Sequence, residues 1–485
     1  MRYICIHGHF YQPPRENPWT NHIDIQSSAA PFANWNQRIT QECYMANTKA
    51  EILDSNGKVV QRVNNYHHIS FNFGPTLLRW FDNEHSNFVE KLVQADKDSI
   101  SKYGSGTAIA QVFHHAILPL CTLEDKRTEV KWGIADFQKR FGRKPEGIWL
   151  AETAVDLETL EVLVENDILF TILAPRQAKA ILVGESYQEI QEHQLDTSRP
   201  YWCQLPNGKK IALFFYNGEI AMDIAFRGAL NNGERFAQKL HDIARKLPEN
   251  ALLHCATDGE SYGHHHRYGE MALAFCVETL KTYDDVQMIN YSAYLKKFPP
   301  TQYIEIQEVS SWSCAHGVGR WSANCGCCID PQMQNQQEWR KHLRTALNLL
   351  RDRSLEWAIS EVNKVQIDFF ELRNYWGSAS TTYEEIALMG RLSSKMLREN
   401  EITEIQFWMV QQELALKMFT SCGWFFDTPV GLEPIQILRY AKLLIEMLEI
   451  KDKNRCLLIK LDFLDALSLI QYKGQSGYDI WKKLV

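Results

Sequence analysis

Residues 123–173 read, in succession, LEDKRTEVKWGIADFQKRF, GRKPEGIWLAETAV, DLETLEVLVEN and DILFTIL. In the first and third pieces apolar residues recur at helical spacing with charges between them, which predicts helices over 123–141 and 156–166. The runs EGIWL (146–150) and ILFTIL (168–173) are short, continuous and apolar, as strands covered on both faces are. Helix, strand, helix, strand is therefore the local grammar.

The same grammar extends outward in both directions. YICIH (3–7), TAIAQVF (107–113), IALFFY (211–216) and ALLHCA (251–256) read as further strands, and 267–282 as a further helix. Strands that alternate with helices and stay apolar throughout indicate a parallel sheet covered by helices. No Gly-x-Gly-x-x-Gly turn follows the first strand, so a barrel is favoured over a doubly wound open sheet. After Pro299-Pro300 the texture changes to a Cys- and Trp-rich loop (308–332), then to helical periodicity over 336–372, 383–398, 403–420 and 434–449. The expected division is a catalytic barrel over 1–300, a loop over 301–332 and a helical domain over 333–485.

Composition excludes several classes of function. The 485 residues carry 52 Lys+Arg against 59 Asp+Glu, and a net charge of −7 offers no broad face for nucleic acid. No apolar run reaches the ~18 residues of a membrane span. The opening MRYICIHGHF turns polar too soon for a signal peptide, so a cytoplasmic location is expected. Of the 12 Cys, eight are scattered singly, as free thiols in a reducing compartment are.

Barrel enzymes carry their chemistry where strands run out into the next loop. Four such ends here are polar: His7-Gly8-His9-Phe10-Tyr11-Gln12, His114-His115, Trp149-Leu150-Ala151-Glu152 and Asp258-Gly259-Glu260. Carboxylates on two different strand ends, with Trp149 and several His alongside, suit glycoside cleavage, which needs one ionised carboxylate and one protonated carboxylic acid.

These motifs resemble glycoside hydrolase family 57, a group acting on α-glucans that includes α-amylases, 4-α-glucanotransferases and branching enzymes. The resemblance covers about residues 1–330. It rests on His7, His9, Gln12 and Pro13, on Ile69–Leu77, on Trp149-Leu150-Ala151-Glu152 and on Asp258-Gly259-Glu260-Ser261-Tyr262-Gly263, all in family order. It implies an incomplete (β/α)7 barrel followed by a helical C-terminal domain. It further implies a retaining double displacement with Glu152 as nucleophile and Asp258 as acid/base, and an α-glucan or oligosaccharide as substrate. His7, His9, Gln12, His115 and Trp149 would line the sugar subsites. Trp312, His316 and Trp321 lie where the family brings a loop over the active-site mouth, which implies further sugar-stacking surface. No metal or cofactor is needed for this chemistry. Phe10-Tyr11 ahead of Gln12-Pro13, His264-His265-His266, and the stretches 34–38 and 421–427 point to a side branch of the family.

Two alternatives stand beside this reading. One is a catalytically weak glucan-binding protein that keeps the aromatic cleft. The other is a metal-dependent hydrolase or deacetylase on a related barrel, using His7 and His9 with Asp258 or His264. Separately, Cys314, His316, Cys325, Cys327 and Cys328 crowd into fifteen residues at a spacing that fits no standard zinc motif. A metal site, clustered free thiols and one disulfide are all compatible with that spacing.

Overall fold

The protein is described by a computed structural model in which residues 1–484 are placed. It divides into two compact units: residues 1–12, 25–111 and 137–308 form the first, and 13–24, 112–136 and 309–485 the second. Segments 13–24 and 112–136, which the sequence division assigns to the barrel, thus group with the helical part.

The parallel strands of the first unit are β1 (Arg2–Phe10), β2 (Ser70–Phe73), β3 (Ala110–Gln111), β4 (Ile148–Trp149), β5 (Phe170–Leu173), β6 (Lys210–Phe215), β7 (Leu252–Asp258) and β8 (Val286–Met288). β1 lies between β7 on one side and β2 and β8 on the other, all parallel. The parallel path continues from β2 to the start of β3 through a Phe71–Ala108 bridge, then along the β3–β4 ladder. A Gly147–Phe170 bridge leads from β4 to β5, and β5 pairs with β6. Between β6 and β7 no ladder forms among the described residues, and the two edges are linked where Asn217 N–H donates to the His254 carbonyl (2.8 Å). Seven parallel strands thus run round a barrel that one seam leaves incomplete, with β8 beside the start of β1. Tyr3 through Phe10 are all buried, as a strand covered on both faces requires.

The helices between the strands follow the sequence closely. The helix expected over 123–141 is α1 (Leu123–Phe141), and the one over 156–166 is α2 (Leu157–Glu165). Asp156 caps α2 by accepting from Thr159 N–H (2.7 Å). The region expected over 267–282 is α3 (Gly269–Leu280).

In the second unit the run 336–372 forms two helices, α4 (Trp339–Val362) and α5 (Phe369–Trp376). Gln366 adopts a left-handed conformation between them, and Asp368 restarts the helix by accepting from Glu371 N–H (2.6 Å). Then follow α6 (Thr382–Leu392), α7 (Glu399–Lys417), α8 (Leu432–Lys451) and α9 (Lys453–Ser468), the last beyond the helices read from sequence. The core of this unit includes Leu343, Leu347, Leu350, Trp357, Trp408 and Leu444. Among the described residues no helix is long and apolar enough to cross a membrane.

Candidate active site

Parallel pairing sets one row of side chains across the sheet. His9 on β1 stands in register with Asp258 on β7 and with Asn72 on β2, while Gln111 on β3 stands in register with Trp149 on β4. All five lie at the carboxyl ends of their strands, the functional end of such barrels.

Asn72 ties the row together. Its Oδ1 accepts from His7 Nε2–H (3.0 Å), and its Nδ2 donates both to His9 Nδ1 (2.9 Å) and to Gln111 Oε1 (2.7 Å). His7 Nδ1 meets Ser70 Oγ at 3.0 Å. Burial pushes the His7 pKa down to about 3, so the ring is neutral at physiological pH. Because Asn72 Nδ2 is a donor, the network assigns His9 the tautomer whose proton sits on Nε2. Beneath both rings lies the indole of Trp149, stacked at 4.9 Å on each with interplanar angles of 15° and 17°. Stacked pairs of this kind contribute about 0.5–1.5 kcal/mol each beyond the area they bury.

These contacts revise two expectations. His7 and Trp149 are both 0% exposed. Neither presents a face to a sugar: both ring nitrogens of His7 are engaged, and His7 and His9 lie against the indole.

Glu152 follows β4 in a tight turn, where Glu152 (φ 57°) and Thr153 (φ 51°) both adopt the left-handed region that non-glycine residues avoid. Each costs about 1–3 kcal/mol, strain that accumulates at functional turns. The turn is held by Gln177, whose Oε1 accepts from Thr153 Oγ (2.8 Å) and whose Nε2 donates to the Thr153 carbonyl (2.8 Å).

Asp258 ends β7 as an exposed residue whose carboxyl group is nonetheless crowded by protein. The crowding, reinforced by the negative charge of Glu152, pushes its pKa up to about 7. Two residues on, Glu260 is buried and accepts at Oε1 from Tyr44 O–H (2.6 Å) and Tyr11 N–H (3.0 Å). Burial, with Asp258 nearby, raises its pKa to about 8, so it is protonated at neutral pH. Between them Gly259 leaves room for the Phe10 ring, since a Cβ there would sit 2.2 Å from it and force it to shift. Asn72, Gln111, Tyr44 and Glu260 are the site members that sequence reasoning missed. Glu260 carried a signal in the Asp-Gly-Glu spacing, and Asn72 in the Ile69–Leu77 segment that resembles the family.

Gln12 is half-buried in the first unit, and its Nε2 donates to the Tyr11 carbonyl (2.9 Å). His115 belongs to the second unit, where it is buried with φ 57° and its Nδ1 lies 2.6 Å from Ser421 Oγ. Trp312, His316 and Trp321 belong to the second unit as well. Trp321 is 0% exposed and offers no ring face for stacking, and its carbonyl accepts from Arg344 Nε–H (3.0 Å). Trp312 is half-buried and His316 exposed, the latter with Nδ1 3.5 Å from Cys327 Sγ. His264 bonds Glu42 (2.5 Å), His7 is fully engaged, and the one close group of His, Cys and acidic donors among the described residues is Cys314, His316, Cys325 and Cys327.

The profile of Glycosyl hydrolase family 57 matches residues 5–307, and that of a domain of unknown function (DUF3536) matches residues 335–485. The α-amylase 1 of Dictyoglomus thermophilum is 27% identical over 196 residues, 40% of this chain. That match spans only 26% of the relative's length. Among solved structures, an exo-type maltose-forming amylase from Pyrococcus sp. ST04 superposes with a TM-score of 0.69 at 14% identity, covering 99% of this chain and 88% of its own. An α-amylase from Thermotoga maritima gives 0.57 at 13% identity over 99% of both chains. A branching enzyme from Thermococcus kodakaraensis gives 0.53 at 15% identity over 95% and 94%. These likenesses are of fold, and they agree with the incomplete barrel and helical region described above.

Proposed function

Since this chain belongs to glycosyl hydrolase family 57, we propose that it is a retaining enzyme acting on α-1,4-linked glucans, with Glu152 as nucleophile and Asp258 as acid/base. The observation that carries the reading is the electrostatic pairing of these two carboxyls. Glu152 sits on a strained turn after β4, and Asp258 at the end of β7 has its pKa raised to about 7 by crowding and by the Glu152 charge. Glycoside cleavage uses one ionised carboxylate and one carboxylic acid, and the raised pKa of Asp258 suits it to the second role.

In the first step the Asp258 carboxylic acid gives its proton to the glycosidic oxygen as the Glu152 carboxylate attacks the anomeric carbon. The bond to the leaving sugar breaks and an ester to Glu152 forms. In the second step the Asp258 carboxylate takes a proton from water or from a sugar hydroxyl. That oxygen attacks the anomeric carbon and Glu152 is released as carboxylate. Water gives hydrolysis, whereas a 4-hydroxyl gives transfer and a 6-hydroxyl gives branching. His9, its tautomer fixed through Asn72, supplies an Nε2–H at the same strand ends.

Incubation with maltoheptaose and with amylose, followed by separation of products by chain length, tests the reading. Shorter products alone mean hydrolysis, longer with shorter mean transfer, and new debranching-sensitive linkages mean branching. The rate should fall as pH rises through about 7, because the acid form of Asp258 is lost there. Unchanged substrate under all conditions, or full activity in Glu152→Gln, would refute the proposal.

A further inference from the structure

We propose that Cys314, His316, Cys325 and Cys327 hold one structural Zn²⁺ in the second unit. The support is geometric. Cys314 Sγ lies 3.9 Å from Cys325 Sγ and 3.7 Å from Cys327 Sγ, and Cys327 Sγ lies 3.5 Å from His316 Nδ1. All four donor atoms fall within 4.8 Å of one another. Zinc binds thiolate at ~2.3 Å and imidazole at ~2.0–2.1 Å in a tetrahedron, whose edges are then about 3.8 Å between sulfurs and about 3.6 Å between sulfur and nitrogen. The three measured edges match this figure.

A disulfide or an iron–sulfur cluster fits these donors less well. A disulfide joins two sulfurs at ~2.05 Å and leaves the third thiol and the imidazole without a reason to converge. Every cysteine here is a free thiol. An iron–sulfur cluster hangs its protein ligands on different iron atoms, which spreads them further than four donors around one centre. Three sulfurs and one nitrogen in a tetrahedral set are the donors zinc favours.

The surroundings are built for such a centre. Gly326, with φ +83°, makes the turn that brings Cys325 and Cys327 to the same side. Arg340 on α4 is wholly buried, and its Nη1–H donates to the Cys327 carbonyl (2.7 Å). The other guanidinium arm reaches the carbonyls of Phe425 (3.3 Å) and Phe426 (3.2 Å), and its nearest carboxylate, Asp427, is 3.9 Å away. A buried cation is costly unless anions lie near it, and Asp427 stands at the long end of ion-pair distance. Three thiolates with Zn²⁺ leave one negative charge next to it. Asp427 in turn accepts from Ile329 N–H and Asp330 N–H, fastening the chain just beyond the cluster. Binding would release the three thiol protons to solvent and pin residues 314–327, which carry only one short helical turn.

The test is metal content of the full chain, purified under reducing conditions without chelator. About one zinc per chain is expected. Cys325→Ser and Cys327→Ser should each lower it to under about a tenth, whereas Cys328→Ser, outside the group of four, should keep it. Should those variants fail to fold, the wild-type protein is stripped and given Co²⁺ alone. Thiolate-to-cobalt absorption with tetrahedral visible bands is then the expected result. Iron in stoichiometric amount, a chain two mass units lighter carrying a disulfide, or neither zinc nor cobalt–thiolate bands would each overturn the proposal.

Discussion

The barrel site draws its side chains from positions 7, 9, 72, 111, 149, 152 and 258, whereas the thiol cluster draws all its donors from positions 314–327. In the barrel, five parallel strands bring distant residues into one row, and a buried asparagine locks the row before any ligand arrives. In the second unit, an irregular loop brings near neighbours together, and no sheet holds them apart or in place. A site held by regular structure tolerates loss of a reacting group. A site held by its own donors does not. The difference predicts that barrel variants separate chemistry from folding, and cluster variants fail to.

The sharpest way to break this contrast is Glu152→Gln or Asp258→Asn. Each should lower kcat on maltoheptaose by about 10³-fold or more while thermal melting stays near that of the unaltered protein. A collapse in melting temperature would mean that the carboxyls hold the barrel up rather than act in it. Asn72→Leu comes next. It deprives His7, His9 and Gln111 of a shared partner, so kcat should fall by about 10²-fold through misplacement of His9. Stability should fall by about 1–3 kcal/mol from unpaired buried groups. A rise in KM with kcat unchanged would contradict the positioning role. Gly259→Ala should cost about 1–3 kcal/mol because the new methyl meets the Phe10 ring, and Phe10→Leu in the same chain should recover part of it.

A pH-dependent effect concerns Glu260. Its carboxyl ionises near 4.3 in the unfolded chain and near 8 in the folded one, so between those values the folded state holds an extra proton. Stability contributed by this group is therefore complete below about pH 4 and lost as pH rises to about 8. Asp258, raised in the same direction, adds a loss of the same sign up to about 7. In Glu260→Gln the decline in melting temperature between pH 5 and 8 should be shallower but still present. An unchanged slope would show that Glu260 is ionised in the fold.

The same contrast governs what the sequence could disclose. Continuous apolar runs locate six barrel strands, and the carboxylates at two of their ends stand out because nothing apolar explains them. Ser70–Phe73 (SFNF) and Val286–Met288 (VQM) give no strand signal because Asn72 and Gln287 interrupt any continuous apolar run. Asn72 and Gln111 look like ordinary polar residues in a strand, and only register, a property of the whole sheet, makes them partners of His7 and His9. Trp149 and Trp321 are legible as rings but not as buried ones, since burial depends on what packs from elsewhere in the chain. The thiol spacing is visible in the sequence, whereas the convergence of four donors is a fact of loop conformation.

The central claim, that Glu152 carries the glycosyl group, is tested most directly by trapping it. Asp258→Asn would be incubated with α-maltosyl fluoride, whose leaving group departs without an acid, and the chain then weighed intact and mapped by peptide. The account predicts one maltosyl unit esterified to Glu152, accumulating because no base remains to activate water. A label on any other residue, or turnover to a product of inverted anomeric configuration with no adduct, would contradict it.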